Sequence, residues 1–274
     1  MRRSRLLRLV AVLVAFWSAG PGAAGAPERV VSINICTDQL AMLLAGPGQL
    51  ISVSYLATDP RSSAMAEAAA DWPANSGGAE EVYLLDPDLV LAGSYTTPDT
   101  VSMLRRLGIR VETFAPVSSL DGIRAQMLRM GELLGREAAA AAAVADFDRR
   151  LEALRAETGA RPGAVIYSAN GYTPGAHGLS NAILTAAGYR NLAAEAGYGG
   201  GKLPLELLAF LTPDLLVEGQ RYPGTSRAEA ILAHPALDRL GETTRTVTDH
   251  DWMCGTPFAL RAAERLARLR EDAE

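Results

Sequence analysis

Glu80-Glu81-Val82-Tyr83-Leu84-Leu85-Asp86-Pro87-Asp88-Leu89-Val90-Leu91-Ala92-Gly93 is followed, 126 residues later, by a second stretch of the same plan, Glu206-Leu207-Leu208-Ala209-Phe210-Leu211-Thr212-Pro213-Asp214-Leu215-Leu216-Val217-Glu218-Gly219. A glutamate leads, Pro-Asp-Leu begins at an offset of seven, and a glycine stands six positions beyond the proline. Proline fixes φ and removes a backbone donor. Each copy therefore reads as a short helix stopped at a Pro-Asp turn, then a buried strand, then a glycine where the backbone must turn sharply. One such unit in each half of the chain implies two matched lobes.

The N-terminus bears on where those lobes work. Arg2, Arg3, Arg5 and Arg8 flank the start of an apolar run through Leu9 to Trp17, and Ala24-Gly25-Ala26 supplies small residues for a signal peptidase. Residues 1–26 read as a cleaved secretion signal rather than a membrane anchor, since the run falls short of the roughly 20 residues that span a bilayer. No cysteine follows the run to carry a lipid, so a periplasmic protein is expected. The signal holds four of the 26 basic residues, leaving 22 against 31 acidic, a net charge of −9. That surface argues against nucleic acid, which calls for a basic face.

Further along, Arg29 to Ile35 reads as a strand, with Thr37 or Asp38 capping a helix Gln39 to Leu44. A strand Leu50 to Ser54 precedes a loop with a short helix, Thr58 to Gly78. After the first unit come a helix Thr97 to Leu107, a strand Arg110 to Phe114, and a helix Leu120 to Leu134 that Gly135 ends. Arg136 to Glu157 holds no Gly or Pro, six consecutive alanines at 138 to 143, and Val144, Phe147, Leu151 and Leu154 at helical spacing. Such a helix is roughly 33 Å long. It reads either as a stiff strut between lobes or as an ordinary surface helix. Beyond Pro162 follow a strand Ala164 to Ser168, a Gly-rich stretch Asn170 to Gly178, a helix Asn181 to Ala187, and the second unit. A helix near Arg227 to Ala233, a strand Thr244 to Thr248 and a closing helix Phe258 to Arg270 complete the chain. Alternating strands and helices predict an α/β fold: two Rossmann-like lobes with parallel sheets, residues 27–135 and 159–274, joined by a long α-helix over 136–158, with the ligand cleft between the lobes.

This layout resembles the helix-linked class III of ABC-importer solute-binding proteins, those for vitamin B12, ferric siderophores and haem, and is most similar to the vitamin B12 group. The resemblance runs through Val30 to Ile33 before the Asp38 helix, Val53-Ser54-Tyr55 with Asp59-Pro60, the two Glu to Pro-Asp-Leu units, the long helix, and Asp251-Trp252. It implies capture of a metal chelate, corrinoid or ferric siderophore, by a monomer without an intrinsic cofactor, and its delivery to an inner-membrane permease. Glu80 and Glu206 match the family's docking glutamates, with Glu81 a stand-in for Glu80. Two carboxylates held apart by a rigid strut give orientation and register against basic sockets.

Within the resemblance the ligand lies on loops after the strands: Asn34, Cys36, Tyr55, Trp72, Ser94 and Tyr95 from the first lobe, Asn170, Tyr172, His177, Arg221, Tyr222 and Trp252 from the second. Tyr55 and Trp252 fall where the vitamin B12 group places aromatic cleft residues, which suit a flat apolar ligand face. Trp72 lies three residues away from the family's aromatic. Tyr198-Gly199-Gly200-Gly201-Lys202 lacks the bulky aromatic a corrinoid reading would favour, and Arg221 can pair with an anionic group, so a ferric siderophore stays open.

Cys36 and Cys254 fall in loops of different lobes. In an oxidising compartment an even pair implies a disulfide, and this one would clip the cleft or require the lobes to meet there. Two free thiols remain an alternative. A bare copper or zinc ion could take Cys36, His250, Met253 and Cys254 as soft ligands. A secreted thiol enzyme with Cys36 as nucleophile would need a histidine beside it, and no signature supplies one.

Overall fold

The computed structural model describes residues 25–156, 159, 161–224, 226–241 and 243–272. All but the last two residues of the expected signal, and the end of the expected linker, lie outside them. The first lobe runs Val30–Ser32 (β1), Ile35–Leu44 (α1), Leu50–Ser54 (β2), Ala74–Asn75 (β3), Ala79–Leu84 (α2), Leu89–Gly93 (β4), Pro98–Arg106 (α3), Arg110–Phe114 (β5) and Leu120–Leu134 (α4). Glu137–Ala156 (α5) follows. The second lobe runs Gly163–Tyr167 (β6), Tyr172–Pro174 (β7), Leu179–Ala186 (α6), Arg190–Asn191 (β8), Leu192–Glu195 (α7), Gly200–Lys202 (β9), Leu205–Leu211 (α8), Leu215–Glu218 (β10), Thr244–Val247 (β11) and Ala259–Glu271 (α9).

Two parallel sheets form, in the orders β3-β2-β1-β4-β5 and β11-β10-β6-β8. In each lobe the first strand, β1 or β6, pairs in parallel with β2 or β8 on one side and with the strand of the repeated unit, β4 or β10, on the other. Leu89 to Ala92 and Leu215 to Val217 are buried throughout, as unbroken apolar strands inside a parallel sheet must be.

The repeated unit performs the same local task twice. Asp86 and Thr212, with φ of 49° and 41°, end α2 and α8 in the left-handed region immediately before the prolines. The Asp88 carboxylate then accepts from the backbone N–H groups of Glu28 (2.7 Å) and Arg29 (3.1 Å), and that of Asp214 accepts from Gly163 N–H (2.7 Å). Each Pro-Asp is thus a clasp on the start of the lobe's first strand. The glycines have a different role from the expected sharp turn. Their φ is not positive; instead a Cβ on Gly93 would lie 2.6 Å from Asn34 Nδ2, and one on Gly219 would lie 2.8 Å from Ser168 Oγ. They admit the loop that leaves the neighbouring strand.

At its 20 residues α5 is about 30 Å long. It is packed along both lobes rather than free between them. Ala140, Phe147, Leu151 and Leu154 are buried in one hydrophobic cluster that continues from Val30 and Leu89 to Ile183 and Leu266. Gly131 of α4 lets Ala140 approach so closely that an added Cβ would lie 2.4 Å from it. Arg150 holds Glu264 of α9 through two bonds of 2.7 and 2.9 Å, and Arg124 of α4 pairs with Asp148.

Local expectations are corrected in several places. β1 ends at Ser32 and Asn34, not Thr37 or Asp38, caps α1, its side-chain oxygen accepting from Cys36 N–H at 3.0 Å. Thr37 and Asp38 are buried, Asp38 accepting from the Ser54 hydroxyl and from Ser54 N–H at 3.2 Å. The Gly-rich stretch forms an antiparallel ribbon, β7 on β9, and the expected helix near Arg227 shrinks to a 3-10 turn at Ala230–Ala233.

Candidate functional site: the interlobe pocket

The carboxyl ends of both sheets' strands face one another, where ligands of open α/β sheets bind. Loops after β1, β4 and β5 bring Asn34, Cys36, Ser94, Tyr95 and the segment Ala115 to Val117 against Leu179, Trp252, Met253 and Gly255 of the second lobe, around a pocket of about 290 Å³. Five expected residues meet there: Asn34, Cys36, Ser94, Tyr95 and Trp252. Tyr95 is 87% exposed, so its ring stands at the rim free of core packing. Phe114, Gln126, Leu179, Gly255 and the Ala115 to Val117 segment were not anticipated, and Met253 was expected only as a metal ligand. Place at or after β5, or beside Trp252, could have signalled some of them, whereas Gln126 sits within α4 and carried no such signal. Every residue lining this pocket is uncharged.

The lobes touch at several points beside the pocket. Cys36 and Cys254 form a disulfide with 5.2 Å between Cα atoms, so the lobes do meet there. Gly255 lies so close to Val117 that a Cβ on it would be 2.4 Å from Val117 Cβ. His250 Nδ1 is 2.9 Å from the carbonyl oxygen of Pro60, and the Arg61 guanidinium lies 5.6 Å from the Tyr222 ring centre.

Other expected site residues are placed elsewhere. Trp72 donates its indole N–H to Leu50 O at 3.0 Å and packs on the first-lobe core. Arg221 donates to Leu232 O at 2.6 Å and pairs with the buried Glu218 at 3.2 Å, so its guanidinium is committed within its own lobe. Tyr222 faces Arg61, while Tyr55, Asn170, Tyr172 and His177 are exposed and outside the pocket lining. Asn170 adopts φ of 59° and its N–H donates to Ala228 O.

The disulfide removes the thiolates on which a bare-metal site and a cysteine nucleophile would both rest. Asp249, His250 and Asp251 bring ligand atoms within 4.8 Å of one another. Arg265 already supplies the positive charge there, at 2.6 Å from each carboxylate.

Glu80 and Glu206 are exposed on α2 and α8, and among the described residues neither makes an ion pair or a side-chain hydrogen bond. Glu81 differs: its carboxylate accepts from Ser76 N–H (2.8 Å) and from the Ser76 hydroxyl. The stand-in for Glu80 is therefore tied to its own loop.

Comparison with known proteins agrees with this architecture. A cobalamin-binding protein of Halobacterium salinarum is 32% identical over 199 residues, 70% of this chain, and the chain spans 54% of that relative's length. The crystal structure of a periplasmic heme-binding protein from Pseudomonas aeruginosa is similar at 25% identity with a TM-score of 0.71, over 89% of this chain and 92% of that one. The periplasmic vitamin B12 binding protein of Vibrio cholerae shares the fold, with a TM-score of 0.67 at 18% identity over 90% and 98% of the two chains. The family profile described as periplasmic binding protein matches residues 30–246, and this chain belongs to that family.

Proposed function

We propose that this protein captures a corrinoid in the interlobe pocket, in the periplasm, and delivers it as a monomer to an ABC importer of the inner membrane. The observation that carries the ligand class is the pocket's uncharged lining. A haem, or a catecholate or carboxylate ferric chelate, would have to bury net negative charge there without a partner, at a cost of several kcal/mol per unpaired ion, of order 3–5. A corrinoid presents a broad apolar face rimmed by neutral amides. Tyr95 and Trp252 suit the face, and Asn34, Ser94 and Gln126 offer neutral polar groups to the rim. The cobalamin-binding relative supports the same class. At about 290 Å³ the pocket takes an edge of such a macrocycle, the remainder lying in the open mouth beside exposed Tyr95.

Binding without catalysis fits the absence of a free thiolate at Cys36. Glu80 and Glu206, exposed and uncommitted, are the docking carboxylates in this reading, and the four-arginine N-terminal segment is its export signal. Native mass spectrometry with cyanocobalamin, haem and ferric hydroxamate siderophores offered together tests the ligand. A single cyanocobalamin adduct is expected; an adduct with a ferric siderophore and none with cyanocobalamin would overturn the assignment.

A further inference from the structure

An open groove of about 710 Å³ lies outside the cleft, on the outer face of the first lobe, walled by Glu80, Tyr83 and Leu84 of α2 and by Met103 and Leu107 at α3. Leu84 is 82% exposed, one helical turn after Glu80. The equivalent of Leu84 in the second unit, 126 residues on, is Phe210, also 82% exposed and one turn after Glu206. Residues four apart share one helix face, so each lobe presents a carboxylate and a large apolar side chain side by side. Core packing does not account for either. That task belongs to Val82 and its equivalent Leu208, both fully buried on the opposite side of α2 and α8. A lone exposed leucine calls for no explanation. A bare apolar side chain beside a bare glutamate at matched positions of both lobes does.

We propose that Leu84 and Phe210 are paired apolar plugs of the permease-docking face, each forming a composite anchor with its glutamate, and that the α2–α3 groove receives an apolar side chain of the permease. The proposal rests on the docking reading above and names what adds affinity to it. Exposed carboxylates supply register and encounter rate more than affinity, whereas desolvated large apolar side chains act as hot spots. The charge of the face selects the occupant. Glu80 and Asp99 border the groove and Glu206 flanks Phe210, all exposed. That array repels an anionic bilayer surface and a second acidic copy of this chain, and complements basic sockets on a permease.

The test measures binding of the protein to right-side-out inner-membrane vesicles from the cell that produces it, against liposomes of the same extracted lipids. The wild type is expected to bind the vesicles alone, more weakly as salt is raised. Leu84→Ser with Phe210→Ser should weaken vesicle binding by at least about tenfold while keeping its salt dependence. Glu80→Gln with Glu206→Gln should remove the salt dependence. Cyanocobalamin binding should be unchanged in both pairs, since the four side chains are exposed and remote from the pocket lining. If the serine pair binds like the wild type while the glutamine pair fails, the plugs are disproved and the docking reading survives. Failure of the wild type to bind, or indifference to both pairs, overturns the docking reading and the plugs with it. Equal binding to the liposomes would assign the apolar side chains to lipid instead.

Discussion

Asp38 illustrates how a single residue can mislead sequence reading and still be informative. Its position near the start of an apolar helix suggests a cap, yet Asn34 takes that role and Asp38 turns inward to Ser54. Burial pushes its carboxyl up to about 6, against the opposing effect of hydrogen bonds from Ser32 and Ser54. The folded state therefore holds this proton more tightly than the unfolded chain does. Ionised Asp38 costs stability above pH 6, and the cost is relieved as the pH falls toward 4. Relative to Asp38→Asn, the wild type should gain roughly 2 kcal/mol between pH 7 and pH 4. Urea unfolding at the two pH values measures this, and a difference that stays flat would contradict it. Among the expected residues, Asn34, Ser94 and Tyr95, which follow a strand directly, line the pocket. Trp72 and Arg221 looked equally suited, but their donors go to Leu50 and Leu232, long-range partners that no local pattern announces.

At the scale of elements, the repeated unit was the most readable part of the chain. Its Pro-Asp carries information because it does two things at once, stopping a helix and clasping the neighbouring strand. Asp88→Ala and Asp214→Ala should each destabilise the protein by about 1 kcal/mol, and together by the sum, since they sit in separate lobes. Urea midpoints of the three variants check this; a loss in only one lobe would show that the clasps are not equivalent. The β7–β9 ribbon was unreadable for a physical reason. Gly200 and Gly201 adopt φ of 110° and 129°, conformations that carry none of the β-branched signal of an ordinary strand. The 3-10 turn at Ala230–Ala233 escaped because its composition also suits a longer helix.

For the whole molecule, α5 and the disulfide act from different places toward the same end. α5 is bolted to α4 and α9 by burial and by Arg124 and Arg150, while Cys36 and Cys254 tie the lobes beside the pocket across 218 residues of chain. Periodicity could reveal α5 but not that both its neighbours would pack on it, and the cysteine count allowed the bond without placing the lobes in contact. A protein held at two such points changes shape little on binding, so recognition falls to a largely preformed pocket. The most direct test is a titration of cyanocobalamin into the wild type, Tyr95→Ala and Tyr83→Ala, which removes an exposed tyrosine from the outer face. One-to-one binding to the wild type, at least about tenfold weaker in Tyr95→Ala and unchanged in Tyr83→Ala, is the predicted result. No binding to the wild type, or equal binding by all three proteins, would contradict a corrinoid site between the lobes.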